Sequence, residues 1–75
     1  MKEETITIYL RIIKEKPVSI MKFIVKSSFC LWIKLFNQKI YLHHYFPRLN
    51  GKKMETSPLP KLKDKDFITL VPKLN

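Results

Sequence analysis

Apolar and polar positions divide the chain into three stretches. Residues 5–13, Thr-Ile-Thr-Ile-Tyr-Leu-Arg-Ile-Ile, satisfy two periods at once. Ile6, Ile8, Leu10 and Ile12 alternate as on a strand, whereas Ile6, Leu10 and Ile13, with Tyr9, recur as on a helix face. The β-branched content favours a strand. Against it, Glu3 and Glu4 in front and Lys14 and Lys16 behind complement a helix dipole, and a strand here finds only weak partners elsewhere. The segment is read as a short N-terminal helix, with a strand as the alternative. Pro17 ends it and suits the first position of a following helix.

From Val18 to Phe46 the chain contains neither Pro nor Gly, and Pro47 closes the run. Laid out at 100° per residue, Ile24, Leu31, Leu35 and Leu42 stack near one direction, with Met21, Val25, Phe29, Trp32 and Phe36 beside them. Lys22, Lys26, Ser27, Lys34, Asn37 and Gln38 gather opposite. Ser28 and Lys39 break the apolar side, and Phe23, Cys30 and Ile33 break the polar one. The pattern predicts one amphipathic helix over about residues 18–46. Beyond Pro47, Asn50-Gly51 suits a turn with positive φ, and Pro58, Pro60 and mixed charges read as an extended basic tail. Within it Phe67–Val71 reads as one short strand or a partner-docking segment. The expected fold is mainly α: a helical segment over 1–47 and an extended Pro/Lys-rich tail over 48–75. A small α+β fold is the alternative.

The central stretch does not read as a bilayer span. Its best twenty-residue window, Ser27 to Phe46, carries Lys34 and Lys39. Each costs roughly 2.5–3.5 kcal/mol near the bilayer centre, while each Leu, Ile or Phe returns only about 0.3–0.6 kcal/mol. Lying in a membrane interface, or packing on a protein, makes no such demand.

Composition sharpens this picture in two ways. The 75 residues carry Lys+Arg 15 against Asp+Glu 6, a formal charge of +9, which attracts nucleic acid or anionic lipid. Only Arg11 and Arg48 are Arg, however, and Ala is absent, a bias that AT-rich coding produces without selection for binding. Lysines serve as point charges, whereas specific readout of guanine and phosphate leans on Arg. Secondly, 45% hydrophobic residues with almost no small ones make a dense core hard to build from one short chain. Surplus apolar surface is therefore expected to seek a partner.

Candidate chemistry is thin. One Gly excludes a Gly-rich phosphate loop, and one Cys excludes a disulfide framework. On a single helix His43 and His44 point about 100° apart, and Cys30 and His44 stand about 21 Å apart at 1.5 Å per residue. Neither pair then builds a metal site, with ligand bonds of about 2.0–2.3 Å. Glu3/Glu4 and Asp64/Asp66 lie in terminal or tail segments among lysines. No catalytic residue, metal or cofactor is expected, and the chain is read as a non-enzyme without a small-molecule substrate.

The leading expectation is a small basic accessory protein that docks on a larger protein assembly or an anionic membrane surface. Met21, Ile24, Val25, Phe29, Leu31, Trp32, Leu35, Phe36 and Leu42 form the docking face, with Lys22, Lys26, Lys34, Lys52 and Lys53 in electrostatic contact. An RNA-associated accessory protein of small ribosomal type is the second reading, and a translated reading frame without selected function the third. No presequence or signal peptide is legible, and an intracellular location is expected.

Overall fold

The structure, a computed structural model, describes residues 4–13 and 19–73. It is built on a five-stranded mixed sheet, not on a long helix. In chain order the elements are strand β1 (Ile6–Ile12), strand β2 (Ile20–Val25), helix α1 (Ser28–Asn37), a 3₁₀ turn (Leu42–His44), and strands β3 (Tyr45–Leu49), β4 (Lys52–Lys53) and β5 (Asp66–Pro72). The sheet order is β2-β1-β5-β3-β4, and only the β1–β5 pair is parallel.

The expected mainly-α fold is therefore overturned at each of its three parts. Residues 5–13 supply a strand because β1 has partners on both sides: β2 pairs Ile8 with Phe23, and β5 pairs Leu10 with Ile68. The helix expected over residues 18–46 is a strand, a ten-residue helix and a 3₁₀ turn. In β2 the alternation of Met21, Phe23 and Val25 with Lys22 and Ile24 matches a pleat, and Phe23, misplaced on the helical projection, is buried. The tail is not extended: β5 lies between β1 and β3, so residues on both sides of position 47 share one sheet. The expected break at Pro17 lies outside the described residues.

Local chemistry explains the helix limits. Ser27 caps α1, its hydroxyl accepting from the Cys30 amide at 3.3 Å. At the other end Lys39 takes φ 62°, its amide donating to the Phe36 carbonyl while that of Ile40 donates to Leu35. This is a Schellman close with lysine where glycine is commonest. The β3–β4 hairpin turns through Asn50 (φ 52°) and Gly51 (φ 85°), the two-residue loop that positive φ at both positions permits.

The core fills one side of the sheet. Ile8, Leu10, Phe23, Val25, Tyr45, Ile68 and Leu70 meet Leu31 and Leu35 of α1, with Leu62 at the margin. Asp64 and Asp66, read from sequence as tail charges, organise the entry to β5. Asp64 accepts from the Thr7 amide at 2.7 Å, and Asp66 accepts from the Lys63 amide and from the Asn50 side chain.

Candidate functional site: the open face of the sheet

Strand side chains alternate between faces, so the register that sends Ile8, Leu10, Ile68 and Leu70 to the core sends their neighbours to the face without a helix. One row there crosses all five strands: Ile20, Arg11, Thr69, Arg48 and Lys53 are successive partners. Both arginines of the chain stand in this row, separated by the buried Thr69 on β5. Two inter-strand steps place their backbones about 10 Å apart.

The adjacent rows supply rings. Lys22, Tyr9 and Phe67 are neighbours on β2, β1 and β5, and the Tyr9 and Phe67 rings stack at 6.3 Å between centroids, 25° from parallel. On the other side Phe46 pairs with Val71, is 57% exposed, and has the Lys73 ammonium 5.4 Å from its ring centre. The Arg11 guanidinium lies 5.4 Å over Phe67, and its Nε is buried without a hydrogen-bond partner. An unpaired buried donor is unfavourable. Among the described residues no strand position on this face carries a carboxylate. The face thus combines three exposed or half-exposed rings with five cations: Arg11, Lys22, Arg48, Lys53 and Lys73.

The docking face expected from the helical projection is not brought together. Leu31, Leu35 and Val25 are buried in the core, and Met21, Trp32 and Leu42 pack partly buried against it. Ile24 lies on the opposite side of the sheet, exposed beside Lys22. Of the expected docking residues on α1, only Phe29 and Phe36 face solvent, where Ile33 joins them. The five lysines are also divided: Lys22 and Lys53 belong to the open face, Lys52 projects from β4 toward the other side, Lys26 follows β2, and Lys34 is exposed on α1. Tyr9, Arg11, Phe46, Arg48 and Phe67 were missed as site residues. The signal for Tyr9, Arg11 and Phe67 was present as the period-two series Thr7-Tyr9-Arg11 and Phe67-Thr69-Val71, visible once both segments are read as strands, whereas Phe46 and Arg48 flank Pro47 on a strand that the sequence did not mark.

Cys30 is a half-buried thiol hydrogen-bonded to Ser27. Among the described residues no three of His, Cys, Asp and Glu converge on a point, and no helix is long and apolar enough to cross a membrane. No family model, curated protein or solved structure matches the chain.

Proposed function

We propose that this protein is a small non-enzymatic accessory protein that binds single-stranded nucleic acid across the open face of its sheet. The observation that carries the reading is the five-strand row holding Arg11, Arg48 and Lys53, flanked by the Tyr9–Phe67 stack and by Phe46 with no carboxylate among them. Every base has a face that stacks on an aromatic ring, and a cationic surface tracks the backbone without needing a sequence. A sheet presenting rings suits unpaired bases, because paired bases hide their faces inside the helix. Two arginines suffice here, since the fold places both in one row. The Arg11 guanidinium, 5.4 Å over the Phe67 ring, exchanges that ring for a phosphate when a base takes its place.

The test is fluorescence anisotropy with a labelled oligo-dT or oligo-U of roughly ten nucleotides, within the size range of such sites. Affinity should fall with salt at a log–log slope of roughly −3, about −0.7 for each phosphate neutralised by four or five cations. Arg48→Ala and Phe46→Ala each weaken binding, the second by about 5- to 100-fold if one base stacks there. A salt-independent affinity, or equal affinity of both variants and the native chain, would overturn the reading.

A further inference from the structure

Side chains on one face of a strand recur every second residue, so the rows of the open face advance by about 6.6 Å. Along β5 three such rows are marked by Phe67, Thr69 and Val71. The first row holds the Tyr9–Phe67 stack, the second places Thr69 between Arg11 and Arg48, and the third sets Phe46 beside Val71. From Phe67 to Phe46 is two rows along the sheet and one strand across, roughly 14 Å between backbones. Thr69 is 8% exposed, so the ground between the two ring platforms is low, with the longer Arg11 and Arg48 on either side of it. The middle row carries no aromatic ring.

A nucleic acid strand advances by six backbone bonds per nucleotide, a β-strand by three per residue. Two residues of strand and one extended nucleotide therefore cover nearly the same distance, about 6.6 Å. Stacked bases succeed one another far more closely, every ~3.4 Å. Bases lying on rings roughly 14 Å apart do not lie against each other, and the backbone between them is extended. We infer that the open face holds two bases separated by one nucleotide. One base takes the Tyr9–Phe67 platform and the next but one takes Phe46. The nucleotide between them passes over Thr69, with its flanking phosphates between Arg11 and Arg48. Its base has no ring beneath it and contributes no stacking. Resting on the proposed single-strand binding by this face, the spacing adds which bases carry the affinity.

The test uses fluorescence anisotropy of three labelled strands of roughly ten nucleotides with the same number of phosphates. They are oligo-dT, a strand alternating thymidine with abasic sites, and a strand alternating thymidine pairs with abasic pairs. In the second, each base has another two positions away; the third holds at least as many bases, none of them two positions apart. The alternating strand should bind within about fourfold of oligo-dT, having lost only registers. The paired strand should bind about 5- to 100-fold more weakly than the alternating one, the loss of one stacked base. Phe46→Ala, at an exposed position, removes one platform and should make the two patterned strands bind alike. Tight oligo-dT binding by the native chain with the patterned strands equal, or with the paired strand the tighter, overturns the spacing and leaves single-strand binding in place. Absence of oligo-dT binding overturns both.

Discussion

At the scale of single residues, the fold depends most on side chains that touch no solvent. Leu10 is fully buried between the sheet and α1, and Leu10→Ala should cost about 2–5 kcal/mol. A domain of this size holds only about 4–11 kcal/mol in total, so the urea midpoint should drop by about a fifth or more. Asn50 bears three duties: it takes positive φ, donates to Asp66 at 3.0 Å, and accepts from the Phe67 amide at 2.9 Å. Asn50→Ala strands that amide and should destabilise by about 1–3 kcal/mol in the same measurement. Lys39→Gly acts in the opposite direction. It relieves the steric penalty of φ 62° and should raise stability by roughly 0.5–1 kcal/mol, the residual after glycine's own entropy. The Asn50-Gly51 turn was legible from sequence because two residues alone determine it. The role of Lys39 was not, since nothing local marks a lysine for a left-handed conformation.

At the scale of elements, legibility failed where one pattern fits two periods. Over Met21–Val25 the apolar residues fit a helical arc except at Phe23 and a pleat except at Ile24, and only the partner strand decides between them. Residues 26–28, Lys-Ser-Ser, carried the break between β2 and α1, but on a helical projection Lys26 and Ser27 pass for polar surface and Ser28 for a flaw in the apolar side. Ser27→Ala should test that break. It removes the cap of α1 and should lower stability by about 1 kcal/mol, read from the thermal melt. β5 shows the complementary difficulty. From sequence Phe67–Val71 reads as a short strand or a partner-docking segment, and its place at the centre of the sheet follows from a parallel pairing with β1 across more than fifty residues, which no local signal encodes. Placement of the candidate site followed the same rule: Arg11 and Arg48 are 37 positions apart, and only Thr69 between them on β5 makes them one row.

For the whole molecule, the order β2-β1-β5-β3-β4 makes stability cooperative, because β5 joins the two halves of the sheet. Shortening the chain to end before Asp66 removes the strand that joins β1 to β3, and the remainder should show no sigmoidal unfolding by circular dichroism. Among the described residues, rings and both arginines stand on the open face of the sheet, while the helix side carries an apolar groove. Surface substitutions such as Arg48→Ala should therefore change stability by no more than about 0.5 kcal/mol while changing affinity. The most direct measurement is a nitrogen-15 correlation spectrum of the full chain titrated with oligo-dT. The expected result is that amide shifts concentrate at Tyr9, Arg11, Arg48, Phe67 and Thr69, with Phe29–Phe36 of α1 unmoved. Shifts centred on α1, or spread evenly over exposed lysines such as Lys34, Lys61 and Lys63, would contradict the assignment of the open sheet face.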